Sequence, residues 1–133
     1  MALVLIVDDE ECVRTYVKAV LRAGDSKVLE ASNGREALEL VKNLGQQIEL
    51  IVADIQMPLM DGIQLANSVR VTLPQIPIVL ITGALRDQWP GSPPNRCPVV
   101  QKPFSPASLL KAVYSALAES RPGFDQSASN RVA

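Results

Sequence analysis

Histidine does not occur anywhere in this 133-residue chain. Its absence removes Ser-His and Cys-His nucleophile pairs, imidazole-ligated zinc, and any role for the domain as a phosphohistidine donor. Cysteine is nearly as scarce. Cys12 and Cys97 stand far apart with no CxxC pair, which argues against a metal knuckle or a redox motif, suits a reducing compartment, and leaves both as small core or surface residues. Neither sign of charge is in excess, with 13 basic against 14 acidic residues, so no basic surface offers itself to nucleic acid or to an anionic membrane. Long apolar runs are missing too. The longest, Met1 to Val7, meets Asp8, Asp9 and Glu10 at once, so neither a signal peptide nor a spanning helix is expected, and a cytoplasmic location is. No Gly-Lys pair occurs, which excludes a P-loop. Whatever chemistry exists here must run on carboxylates, hydroxyls and amines.

What is present describes an ordinary globule, 47% hydrophobic and 20% charged. At roughly 150 residues per domain the length gives a single domain. Burying about two thirds of its unfolded surface, such a domain needs neither disulfide nor structural metal. Ala2 to Val7 is continuously apolar and reads as a strand buried on both faces, the kind found in parallel sheets. Val13, Val17, Val20 and Leu21 then fall at helical spacing, and Gly24 ends the pattern. Lys27 to Ala31 is a second strand. Asn33 and Glu36 stand as in a capping box before Ala37, Leu38, Val41 and Leu44, and Gly45 stops that helix. Leu50 to Ala53 is the third strand. A turn with Pro58, Asp61 and Gly62 leads to a helix carrying Ile63, Leu65, Ala66, Val69 and Leu73, which must end before Pro74. Ile78 to Ile81 is the fourth strand and Val99 to Gln101 the fifth. Ser105 caps a last helix with Pro106 at its first position and a stripe of Leu109, Leu110, Val113 and Leu117. Ser120 to Ala133 has little to bury and reads as a mobile tail. One segment breaks the rhythm. Between Gly83 and Pro98, the residues Pro90, Gly91, Pro93 and Pro94 occupy the place of a full crossover helix, leaving at most one turn around Ala84 to Gln88.

Five strands alternating with helices imply a parallel sheet wrapped on both faces, with the ligand site beyond the carboxyl ends of the strands. The residues at those ends are Asp8, Asp9 and Glu10 after the first strand, Asp54 after the third, Thr82 after the fourth and Lys102 after the fifth. Carboxylates brought close together repel unless a cation sits among them. Oxygen-only ligands favour a hard ion, magnesium first and manganese second. Asp8, Asp9 and Asp54 together with a divalent ion and Lys102 sum to a neutral site, which could accept a dianionic phosphoryl group. Lys102 would pair with one phosphoryl oxygen and Thr82 would donate to another. Asp54, alone at the end of a central strand, is the candidate nucleophile for an acyl phosphate. Each piece has a plain alternative: acids at a helix start cap it and complement its dipole, and Lys-Pro or Thr-Gly after a strand is commonly a turn. Those readings do not explain why Asp, Asp, Thr and Lys all fall at the same end of successive strands.

The runs LIVDDE (Leu5 to Glu10), LIVADIQMPLMDG (Leu50 to Gly62), PIVLITG (Pro77 to Gly83) and VVQKPF (Val99 to Phe104) resemble the four signatures of the response-regulator receiver (CheY-like) domain of two-component phosphorelays, in that family's order and spacing, over about residues 3 to 119. The resemblance implies a flavodoxin-like α/β fold: a five-stranded parallel sheet in the order 2-1-3-4-5 with helices on both faces, here with the fourth helix short or missing. It also implies a receiver domain over residues 1–119, followed by a flexible tail over 120–133. Matched position by position, Asp54 is the phosphoacceptor, Asp9 binds magnesium directly, Asp8 orients metal-bound water, and the main-chain carbonyl of Gln56 is a further metal ligand. Thr82 is the switch hydroxyl and Lys102 the phosphate-pairing lysine. Pro103 follows a peptide bond that is usually cis, and Gly83 sits where the family has a small residue. The Gln56 side chain would lean over the site toward attacking water. The implied partner is a sensor histidine kinase or a histidine phosphotransfer domain, with no nucleic acid or membrane bound by this domain, and a monomer is expected. The domain would be a signalling phosphoacceptor and not an enzyme, although it would assist its own magnesium-dependent phosphorylation and dephosphorylation.

Two departures stand out. Val99 occupies the position where the family usually has Tyr or Phe, and the Pro-rich segment replaces a helix of the usual output face. The pattern looks closer to receivers attached to hybrid sensor kinases than to those driving DNA-binding domains. Haloacid-dehalogenase-type phosphatases also combine Asp, Thr, Lys and magnesium, but they use Asp-x-Asp after the first strand. Here Glu10 takes the second Asp position, Cys12 stands where a small hydroxyl is usual, and the chain lacks room for a cap domain. A receiver-like module that binds partners without phosphorylation usually lacks the acceptor or the lysine, and both are present.

Overall fold

A computed structural model describes residues 3–22 and 27–120. Ala2, Gly24 and residues 121–133 of the expected tail lie outside the described residues. Strands β1 (Leu3–Val7), β2 (Lys27–Ala31), β3 (Leu50–Asp54), β4 (Ile78–Thr82) and β5 (Val99–Gln101) alternate with helices α1 (Glu11–Arg22), α2 (Gly34–Leu44), α3 (Gly62–Thr72) and α4 (Pro106–Ser120). All strand pairs are parallel and the sheet order is β2-β1-β3-β4-β5. This is the flavodoxin-like order anticipated from the sequence.

The unbroken apolar strands are explained by what covers them. Successive side chains of a strand point to opposite faces. From β1, β3 and β4, Leu5, Val7, Ile51, Ala53, Ile78 and Leu80 pack with Ala37 and Val41 of α2 and with Ile63, Ala66 and Val69 of α3. Their neighbours Val4, Ile6, Leu50, Val52, Val79 and Ile81 pack on the other face with Val17, Val20 and Leu21 of α1 and Leu109, Val113 and Ala116 of α4. Neither face meets water, so no polar alternation is tolerated until the strand ends. Each fully buried Leu or Ile contributes about 1.5–3 kcal/mol of transfer free energy.

Helix boundaries follow local chemistry. Asn33 Oδ1 accepts from the Glu36 N–H at 2.8 Å, but the Glu36 carboxylate reaches back to the N–H of Ser32, not of Asn33, also at 2.8 Å. Gly45 ends α2 with φ of 54°, a left-handed conformation in which glycine has no Cβ clash. The chain continues through a short 3-10 turn at Gly45–Gln47. A full capping box starts α3, where Asp61 Oδ1 accepts from the Gln64 N–H at 2.8 Å and Gln64 Oε1 from the Asp61 N–H at 3.1 Å. Ser105 caps α4 by accepting from the Ser108 N–H at 3.1 Å. On α4 the deeply buried stripe is Leu109, Val113 and Ala116, with Leu110 and Leu117 half-buried at its margin.

Between β4 and β5 one short 3-10 turn, Arg86–Gln88, is all the helix that forms. Proline removes the N–H donors a helix needs. Side chains hold the loop instead. Trp89 and Cys97 pack against the core on the α2–α3 face, and the Arg70 guanidinium, projecting from α3, donates to the carbonyls of Ile76 and Arg96 and to Cys97 Sγ. Among the described residues no helix is long and apolar enough to cross a membrane.

Candidate functional site

The carboxyl ends of β1, β3 and β5 bring five charged side chains, Asp8, Asp9, Glu10, Asp54 and Lys102, into one cluster. Asp8 follows β1 and is completely buried. Its Oδ1 accepts from the Glu10 N–H at 2.9 Å, and its main-chain carbonyl accepts from Arg14 Nη1 at 2.6 Å. Asp54 is the last residue of β3 and only 5% exposed. Its Oδ1 accepts from the Gln56 N–H at 3.2 Å and its Oδ2 from Lys102 Nζ at 3.0 Å. Lys102 also donates to Asp8 Oδ2 at 3.4 Å and lies 3.8 Å from Glu10 Oε1. One carboxylate oxygen from each of Asp8, Asp9, Glu10 and Asp54 can be chosen so that all lie within 4.8 Å of one another.

The local backbone explains these positions. Asp8 folds the chain back on itself through its bond to the Glu10 N–H, and Arg14, one helical turn beyond Glu10, anchors the Asp8 carbonyl. Asp54 is fixed by the start of α3. The Gly62 N–H donates to the Ile55 carbonyl at 2.8 Å, and a Cβ on Gly62 would collide with the Asp54 carbonyl oxygen and come within 2.9 Å of Ile55 Cα. Only glycine permits that approach. Lys102 is tied to β4, its N–H donating to the Thr82 carbonyl at 2.7 Å, and its peptide bond to Pro103 is cis.

Burial is the main reason that the Asp8 carboxyl is pushed up to about 6. The Asp54 charge adds to the rise, while the Glu10 N–H and Lys102 oppose it. For Lys102, burial acts to lower its proton affinity, but the hydrogen bond and charge of Asp54, with those of Asp8, outweigh it and hold the ammonium above its ordinary value. Asp8, Asp9, Glu10 and Asp54 carry four formal negative charges against one ammonium, an excess of three that a divalent cation would largely offset. The donors are all oxygens, two of them on buried residues, with no imidazole or thiolate among them, which is the set a hard cation takes. The residues present therefore fit such an ion.

Thr82 and Gln56 stand differently. Thr82 is fully buried, and its Oγ accepts from the Ala84 N–H at 2.9 Å. It reaches Lys102 through the backbone and makes no hydrogen bond to the acids. Gln56 joins the cluster by its main chain, while its side chain is exposed. A Cβ on Gly83 would meet only the Lys102 side chain, at 3.9–4.0 Å. Glu10, singled out in the sequence only as an acid after β1, belongs to the acidic cluster. The signal was its place two residues after Asp8, where a side-chain-to-backbone turn forms. Beside the site, Cys12, Val13, Tyr16, Lys102, Pro103 and Phe104 line an open apolar groove, in which the Tyr16 hydroxyl donates to the Phe104 carbonyl at 3.0 Å.

Residues 4–114 match the family model described as the response regulator receiver domain. The sensor kinase CckA of Brucella abortus is 35% identical over 118 residues, covering 87% of this chain and 12% of that protein. The transcriptional regulatory protein SrrA of Staphylococcus aureus is also 35% identical, over 116 residues, covering 86% of this chain and 47% of that protein. The chain thus spans less than half the length of either relative. Among solved structures, the response regulator protein TrrA of Thermotoga maritima in complex with Mg2+-BeF superposes with a TM-score of 0.77 at 28% identity, covering 88% of this chain and all of that one.

Proposed function

We propose, for a chain that belongs to the response-regulator receiver family of two-component signal transduction, that Asp54 accepts a phosphoryl group from the phosphohistidine of a sensor kinase or histidine phosphotransfer domain in the cytoplasm. The observation that carries this reading is the convergence of Asp8, Asp9, Asp54 and Lys102 from three strand ends in one cluster.

A lone pair on an Asp54 carboxylate oxygen attacks phosphorus, an O–P bond forms, and the N–P bond to the donor imidazole breaks. The electron pair returns to the imidazole nitrogen, so no oxidant or reductant enters. Asp54 is aimed by the Gln56 N–H and by the α3 start at Gly62. Lys102, now bridging Asp54 and Asp8, pairs with a phosphoryl oxygen of the product. Thr82 accepts from Ala84 and so keeps its own hydrogen available for donation to a second oxygen. Asp8, Asp9, Asp54 and the main-chain oxygen of Gln56 would hold Mg2+ or Mn2+, which when bound supplies charge neutralisation for the transferring group. The exposed Gln56 side chain stands where it can meet water that hydrolyses the acyl phosphate. The groove of Tyr16 and Phe104 offers the partner domain an apolar seat next to Lys102. CckA and SrrA are equally similar to this chain, and both a kinase-attached receiver and a regulator receiver fit this chemistry.

Acetyl phosphate with magnesium tests the reading without the partner. Intact mass should rise by one phosphoryl group in the wild type and stay unchanged in Asp54→Asn. Equal modification in the presence of a chelator, or in the Asn variant, would remove Asp54 and the metal from the account.

A further inference from the structure

Thr82 does not face the site in isolation. Its Oγ is held by the Ala84 N–H at 2.9 Å. Ala84 is itself only 7% exposed, and its carbonyl accepts from two side chains, Trp89 Nε1 and Gln101 Nε2, each at 3.4 Å. A carbonyl has two lone pairs, and here both have donors. Both bonds are long, past the usual N–H···O range of roughly 2.7–3.2 Å, and therefore weak and easily rearranged. The backbone adds a further link, since Gln101 is the register partner of Thr82 across β4 and β5.

We infer that Ala84, Trp89 and Gln101 form a hydrogen-bonded relay that positions the Thr82 hydroxyl and carries its state to the Pro-rich loop between β4 and β5. The inference rests on the phosphoacceptor reading of Asp54. A hydroxyl that turns to donate to a phosphoryl oxygen shifts its Oγ relative to the Ala84 N–H. Ala84 is enclosed, and close-packed interiors pass on such displacements because they have little free volume to absorb them. Its carbonyl then moves against Trp89 and Gln101. Val99 cannot do this work, because a β-branched side chain has few rotamers and no polar group. Trp89 is well placed to respond. It packs at the margin of the core under the loop, the Arg86 guanidinium lies 5.7 Å from its ring centroid, and with Gln101 and Arg96 it lines a shallow surface groove. A change at Ala84 therefore reaches the surface through two side chains that the site does not otherwise use.

Trp89 is the only tryptophan in the chain, so its emission reads the relay directly. The 133-residue chain is treated with acetyl phosphate and magnesium, and intact mass and tryptophan emission are followed together. Emission should change in step with the phosphoryl mass and return with the same half-life as the modification decays. In Thr82→Val, close in shape but without the hydroxyl, the modified protein should lose the emission change. Gln101→Leu, an exposed position that spares the hydroxyl, should reduce it. Phosphorylation of the wild type with unchanged emission overturns the relay and leaves the phosphoacceptor reading standing. So does an emission change that survives in modified Thr82→Val. Failure of the wild type to gain mass overturns that reading, and the relay with it.

Discussion

The crossover from β3 to β4 and the one from β4 to β5 both return the chain to the same end of a parallel sheet, yet only the first does so with a helix. Its helix, α3, begins with a reciprocal cap and lays Ile63, Leu65, Ala66 and Val69 on the sheet. The second spends its length on prolines and one 3-10 turn, and its contact with the same face of the core comes from Trp89, Cys97 and the long reach of Arg70. A helix stabilises a crossover through many small apolar contacts, each replaceable. A loop with a single turn of internal backbone hydrogen bonds depends on a few specific side-chain ones. The crossover from β3 to β4 is therefore most sensitive where Gly62 lies against Asp54, while the one from β4 to β5 should respond to single side chains along its length.

The sharpest contrast is between two glycines. Gly62→Ala forces a Cβ into the Asp54 carbonyl, so it should cost roughly 3 kcal/mol or more in urea unfolding, as expected where backbone cannot move aside. Gly91→Ala, on the exposed loop with only Ile63 Cγ2 at 3.7 Å, should change stability by no more than about 0.5 kcal/mol. Similar costs at the two positions would erase the distinction.

Arg70 is the next lever. Arg70→Met keeps an unbranched stem on α3 but loses the donors to the Ile76 and Arg96 carbonyls. The expected loss is about 1–2 kcal/mol, with hydrogen exchange accelerating in the loop far more than in α3. Uniform acceleration through α3 would show that Arg70 supports the helix and not the loop.

The smallest effect lies at the crossover from β1 to β2, where Glu30 of β2 pairs with Lys18 at 2.7 Å and Arg14 at 3.0 Å from α1. The hydrogen bond from Lys18 holds the Glu30 carboxyl below its ordinary value, against a smaller opposing effect of burial and with help from Arg14. The folded chain therefore binds fewer protons here than the unfolded chain. The stabilisation is complete above the ordinary glutamate range and is lost as pH falls through the lowered value. A partly exposed pair is worth only a few tenths of a kcal/mol. Glu30→Gln should lower stability slightly at neutral pH and flatten the acid-side slope. An unchanged slope would remove Glu30 from the acid transition.

Much of the fold was legible because the sheet is covered on both sides. That condition writes unbroken apolar runs at β1, β3 and β4, and it places Asp8, Asp54 and Thr82 at the first positions where polarity is allowed. The missing helix was equally plain, since prolines at 90, 93 and 94 forbid it. Contacts between residues far apart in the chain were not legible. Nothing local announces that Arg70 reaches Arg96, or that Trp89 and Gln101 meet at the Ala84 carbonyl, because neither has a period or a motif. The capping box of α3 was available in Asp61 and Gln64 but was masked by the surrounding turn residues. Glu10 was recognised as an acid but not as a member of the cluster, since its placement depends on a turn around the Asp8 side chain.

The central claim, that Asp54 takes the phosphoryl group, is tested most directly by locating the modification. After treatment with acetyl phosphate and magnesium, borohydride reduction converts an aspartyl phosphate to homoserine, and peptide mass spectrometry shows where. The account predicts homoserine at Asp54 alone, with none in protein treated in chelator. Homoserine at Asp8 or Asp9, or a modified peptide that does not contain Asp54, would contradict it.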